Sequence, residues 1–72
     1  MAWEEFPQFD SSNIQAIRYD PDQMLLEVTF KNGGIYEYFD VDARVIEEFK
    51  ASDTMGGFLA KRIKGHYRYS KV

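Results

Sequence analysis

Cysteine is absent from this 72-residue chain, and histidine occurs once, at His66. The first absence excludes a disulfide framework, thiolate zinc sites, iron–sulfur clusters and a cysteine nucleophile. The second excludes a histidine-rich metal site; a lone imidazole in a tail reads as a helix-end cap or a stacking partner before it reads as a catalytic base. No apolar run approaches the ~18 residues that span a bilayer, so no membrane partner is expected. Met1 to Asp10 has neither a basic start nor an apolar stretch and carries Glu4, Glu5 and Asp10, unlike a secretory signal. The expected location is cytoplasmic. A chain of this length makes one domain with one core, burying only about 60% of its unfolded surface, and is short for a deep apolar pocket. The carboxylate pairs Asp40/Asp42 and Glu47/Glu48 read as solvated charge, because near neighbours on a helix point in different directions. No enzyme activity, cofactor or metal is expected.

What is present is apolar and ring-rich: 44% of residues are hydrophobic and 17% aromatic, which supplies core volume that a short chain otherwise lacks. The composition is that of a folded domain, not a disordered segment. Net charge is −3 but unevenly spread, with all twelve acidic residues at or before Asp53. Lys61, Arg62, Lys64, Arg68 and Lys71 give residues 61–72 a charge of +5, against −8 for the preceding sixty. Such asymmetry hints at an anionic ligand for the tail.

Residues 1–10 form an N-terminal arm holding Trp3, Phe6 and Phe9, either laying rings over the core edge or displaying an acidic-aromatic motif to another protein. Residues 11–72 form the domain. Ile17 and Tyr19 share one face of a strand over Asn13–Tyr19; Ile14 is out of phase, an error a bulge absorbs. Asp20-Pro21-Asp22 is a turn. Met24, Leu26, Val28 and Phe30 alternate with Leu25, Glu27 and Thr29, then Asn32-Gly33 leads into Ile35–Phe39, the pattern of a β-hairpin. After Phe39 the period changes. Val41, Val45, Ile46 and Phe49 mark a helix with Asp40 as N-cap. A second helix over about Thr54–Lys64 takes Asp53 as N-cap and Gly65 as C-terminal stop. Gly56 and Gly57 cost it about 1 kcal/mol each relative to alanine, which implies close approach to the sheet or a ligand. Residues 66–72 alternate again, as a short strand or an edge segment. The expected class is α+β: a three-stranded antiparallel meander followed by two helices on one face, monomeric or weakly dimeric.

The ordered set Ser12 with Ile14, Tyr19-Asp20, Leu26-x-Val28-x-Phe30, Gly33, Tyr36-x-Tyr38, Val41, Thr54-x-Gly56-x-Phe58, Ile63 and Tyr67 resembles the KTSC domain. That family is named for the C-terminal region of some lysyl-tRNA synthetases and also occurs as small stand-alone bacterial or phage proteins. Asp42 stands where the family commonly has proline, and Thr54 where it commonly has serine. The resemblance implies this fold, and RNA as ligand only through the attachment to a synthetase.

Hairpin register decides the role of the Tyr-x-Tyr pair, since a one-residue slip exchanges the two faces. A two-residue loop pairs Val28 with Glu37 and places a carboxylate in the apolar stripe, at a cost of several kcal/mol (roughly, for an unpaired buried charge). An odd loop with Gly33 left-handed pairs Val28 with Tyr36 and Leu26 with Tyr38 instead, which is the favoured reading and makes both tyrosines core scaffold. The functional bet then moves to the tail, where Tyr67 and Tyr69 flank Arg68. Lys61, Lys64, Tyr67, Arg68, Tyr69 and Lys71 are the candidate nucleic-acid contacts. The bland alternative is that the helix cations complement the helix C-terminus and the tail is solvated. Two functions remain open: a non-catalytic RNA-binding or nucleic-acid-binding domain, or a protein-interaction module acting through the arm or a sheet edge.

Overall fold

The computed structural model describes residues 2–72. Strands β1 (Glu4–Glu5), β2 (Ile14–Asp20), β3 (Leu25–Phe30) and β4 (Ile35–Tyr38) are followed by helices α1 (Ala43–Lys50) and α2 (Met55–Phe58), a π-helix (Leu59–Ile63) and strand β5 (Tyr69–Lys71). All strands pair antiparallel in the order β1-β2-β3-β4-β5. The class is α+β as expected, but the sheet has five strands, not three. The two additional strands come from the chain ends, the C-terminal one being the short strand that is one of the two readings of residues 66–72. Glu4 and Glu5 pair with Tyr19 and Arg18, and Tyr69–Lys71 pairs with Tyr38–Tyr36. Both are short, and short strands with a weak alternating signal are hard to distinguish from coil in a sequence.

The register of the central hairpin follows the odd loop. Leu26 stands opposite Tyr38, Val28 opposite Tyr36 and Thr29 opposite Ile35. Gly33 has φ +96°, a conformation that favours glycine, and the Phe30 amide donates to the Gly34 carbonyl at 2.8 Å to close the turn. The phase error at Ile14 is a register shift between Ile14 and Ala16, which returns Ile14 to the buried side. Met24 departs from its expected place in the apolar stripe. It sits in the preceding turn at φ 54° and is exposed, while its carbonyl accepts from the Val41 amide.

One face of the sheet carries the core. Ile17, Tyr19, Leu26, Val28 and Tyr38 pack with Val41, Ile46 and Phe49 and with Leu59 and Ile63 of the π-helix. Phe49, fully buried, is met edge-on by Phe6 at 5.1 Å and stacked by Phe58 at 4.8 Å between ring centroids. The arm therefore adds a side chain to the core through Phe6, and its Trp3 ring lies 4.1 Å beneath the Arg18 guanidinium on the helix-free face. Arg18 also makes a two-pronged bond to Glu27, at 2.7 and 3.2 Å.

The helix caps differ from the expected ones. Asp42, not Asp40, accepts from the Arg44 amide at 2.8 Å, and Asp40 adopts φ 60° one residue before the buried Val41. Thr54, not Asp53, caps α2 by accepting from the Gly57 amide. The expected single helix over 54–64 is four α-helical residues followed by five in π geometry, where the Lys64 amide donates to the Leu59 carbonyl. The two glycines do not serve an approach to the sheet. A Cβ on Gly57 would collide with the capping Thr54 hydroxyl, whereas one on Gly56 would meet open space. Gly65, at φ +82°, turns the chain after the π-helix.

Candidate functional site

Two cross-strand rows on the core face run from buried to exposed. In one, Ile17, Val28, Tyr36 and Lys71 stand side by side; in the other, Tyr19, Leu26, Tyr38 and Tyr69. The residues from β2 and β3 are at most 3% exposed, Tyr36 is half-buried, and Tyr69 is 61% exposed. The helical layer thus covers the centre of the sheet and stops short of β5. A five-stranded sheet is about 19 Å across at ~4.8 Å per strand, more than one short helix of ~10 Å diameter shields.

The uncovered end is a half-open groove of about 760 Å³. Its floor is a run of rings. Phe30 meets Tyr36 edge-on at 5.5 Å, and Tyr69 leans against both Tyr36 at 5.9 Å and Tyr38 at 5.8 Å. One wall is the hairpin turn at Asn32–Gly34, and the other is Lys64 with Gly65 at the end of the π-helix. Lys64 Nζ lies 5.5 Å from the Phe30 ring centroid and Lys71 Nζ 5.9 Å from that of Tyr36, so two ammonium groups flank the aromatic floor. Neither lysine has a carboxylate partner among the described residues. The volume exceeds what the chain length led one to expect, because the space is an open trough between sheet and turn and not a cavity inside the core.

Burial holds the Tyr38 phenol above its ordinary range, with the neighbouring Tyr36 and Tyr69 adding to the effect. The Tyr38 phenol therefore stays neutral at physiological pH, and the lysines supply the local positive charge. No group of three or more His, Asp and Glu side chains that would hold a metal occurs among the described residues. No helix among them is long and apolar enough to cross a membrane.

Of the six tail candidates, Lys64, Tyr69 and Lys71 line this groove. Tyr67 instead packs against the core. Arg68 pairs with Asp40 at 2.9 Å and lies over Phe39, and Lys61 is exposed on the π-helix outside the groove lining. Arg62 is held by Glu48 at 2.9 Å and lies over Phe58, a partner on α1 and not the helix C-terminus. The tail and the hairpin, set apart as ligand segment and scaffold, thus meet in one place. Tyr36 belongs to the site, which the correct register alone did not reveal. Phe30 and Asn32 also line it; the signal for them was their position beside Gly33 at the end of an aromatic strand.

Known proteins share this architecture. The lysine–tRNA ligase of Nostoc sp. is 38% identical over 63 residues, a match covering 88% of this chain and 11% of the ligase. The chain thus spans about a tenth of that relative's length. An uncharacterized protein of Stutzerimonas stutzeri is 35% identical, with 86% of this chain and 89% of the relative covered. The crystal structure of a KTSC domain protein from Yersinia pestis matches with a TM-score of 0.89 at 35% identity over 99% of both chains. The family pattern described as the KTSC domain covers residues 10–67, and on these grounds the chain belongs to the KTSC domain family.

Proposed function

We propose that this is a small non-catalytic domain that binds single-stranded nucleic acid, RNA in preference, in the groove between β5 and the hairpin turn. The observation that carries the reading is the aromatic floor of Phe30, Tyr36 and Tyr69 flanked by Lys64 and Lys71, which have no carboxylate partner among the described residues. Rings stack on any base, and ammonium groups beside them meet the phosphates that connect successive bases. A duplex keeps its bases stacked inside and does not offer their faces to such a floor. RNA is preferred because relatives of this chain include regions of lysine–tRNA ligases. Lys61 and Arg68 lie outside the groove and contribute long-range attraction only.

The test is fluorescence anisotropy with a short labelled single-stranded RNA at two salt concentrations. Two neutralised phosphates give a log–log salt slope of about −1.4. Lys64→Gln with Lys71→Gln flattens that slope, and Tyr69→Ala weakens binding by about 1–3 kcal/mol, the worth of one base–ring stack. Tyr69 is exposed, so its loss leaves the fold in place. Absence of binding at low salt overturns the reading in favour of a protein-interaction module using the outer edge of β5, the last strand of the sheet.

A further inference from the structure

The hairpin turn forms one wall of the groove, and its polar groups are not equivalent. The Gly34 amide donates to the Asn32 side chain at 2.9 Å. A backbone N–H requires an acceptor, so the carboxamide atom facing Gly34 is Oδ1, and the orientation of the side chain follows without ambiguity. Gly34 is packed closely around this arrangement: a Cβ there would stand 3.3 Å from Asn32 Oδ1 and 3.4 Å from Tyr36 Cε1. With Oδ1 engaged, the Asn32 Nδ2 group keeps both protons unclaimed by any described residue, at the wall of a groove whose floor begins with Phe30 and Tyr36.

We propose that Asn32 is a specificity-determining residue of this groove, its fixed Nδ2 donor selecting the bases that carry a carbonyl at the pyrimidine C4 or purine C6 position, uracil and guanine, over those that carry an amine there, cytosine and adenine. This rests on the reading of the groove as a single-strand site. Stacking on Phe30, Tyr36 and Tyr69 is indifferent to base identity, so discrimination falls to a polar group at the rim. A donor placed there meets O4 of uracil or O6 of guanine as an acceptor and meets N4 of cytosine or N6 of adenine as another donor. Lys64 and Lys71, which flank the same floor, point charge at phosphates and do not distinguish the bases.

Asn32→Asp isolates the donor. The carboxylate keeps an acceptor for the Gly34 amide, and Asp-Gly supports the same turn as Asn-Gly, so the fold is retained; far-UV circular dichroism checks that it is. The experiment measures Kd for decauridylate and decacytidylate, two pyrimidine strands of equal length and charge, on the wild type and on Asn32→Asp. The expected wild-type preference for decauridylate is roughly three- to tenfold, the worth of one neutral hydrogen bond. In Asn32→Asp the added charge weakens both strands alike, and the ratio inverts toward decacytidylate because the carboxylate accepts from its N4 amine. If neither strand binds at low salt, the single-strand reading itself fails and the inference with it. If both bind equally to the wild type, or if Asn32→Asp leaves the ratio unchanged, the groove binds nucleic acid and Asn32 does not read it.

Discussion

Removing one oxygen from Tyr19 probes how the sheet is joined to the helical layer. The Tyr19 hydroxyl donates to the Val41 carbonyl at 2.6 Å, in a place where the two residues are 3% and 0% exposed. The Val45 and Ile46 amides of the first helical turn go to the Asp42 carbonyl, so no other described bond reaches Val41 oxygen. Tyr19→Phe leaves that buried acceptor unsatisfied, which costs about 1–3 kcal/mol. A domain of this size holds roughly 4–10 kcal/mol in total. With a urea dependence of about 1 kcal/mol per molar, the unfolding midpoint by circular dichroism falls by about 1–3 M. The same variant carries a pH signature. Burial first, then the charges of Asp42, Glu4 and Asp20, raise the Tyr19 phenol above its ordinary value of 10.0. Above that pH the unfolded chain loses this proton while the folded chain keeps it, so the contribution to stability is complete below about pH 10 and is lost as pH rises through the folded pKa. Wild type therefore loses stability in alkali more steeply than Tyr19→Phe, by up to ~1.4 kcal/mol per pH unit for the one group. A midpoint that does not move at neutral pH, together with equal alkaline slopes, would refute the assignment of this bond as the tie between β2 and the start of α1.

Other substitutions separate packing from capping and from charge. Gly56→Ala gains about 1 kcal/mol of helix propensity, because its Cβ enters open space, whereas in Gly57→Ala the same gain is offset by loss of the Thr54 cap, so equal urea midpoints for the two variants would contradict the cap geometry. Phe6→Ala costs about 3 kcal/mol because its edge contact with Phe49 belongs to the core, and an unchanged thermal midpoint would favour the other reading of the arm, an acidic-aromatic motif for another protein. Arg68→Ala leaves the unfolding midpoint in place, since its bond to Asp40 joins two largely exposed side chains; a marked drop would mean that this pair anchors β5.

Local signals in the chain were enough to set the hairpin and its register. Asn32-Gly33-Gly34 and the penalty of placing Glu37 in an apolar stripe together select the pairing of Val28 with Tyr36, and the phase error at Ile14 announces its bulge. These rest on alternation and turn chemistry, which act over a few residues. The caps were misplaced by one or two residues because each helix start offers more than one capping residue, Asp40 and Asp42 before α1 and Ser52, Asp53 and Thr54 before α2, and only backbone geometry distinguishes Asp42 from Asp40 or Thr54 from Asp53. The membership of the groove was a tertiary decision of a different kind. Whether Tyr36 is scaffold or floor depends on how far the helical layer extends over a sheet that the chain ends widened to five strands. Which cations stay free depends on partners far away in sequence: Asp40 takes Arg68 across 28 positions and Glu48 takes Arg62 across 14, while Lys64 and Lys71 are left beside the rings. Alternation and turn chemistry are local, so the α+β class and the central hairpin were legible from the residues, whereas the pairing of the short end strands, exposure and charge pairing belong to the assembled layers, and the site emerged only where hairpin and tail meet.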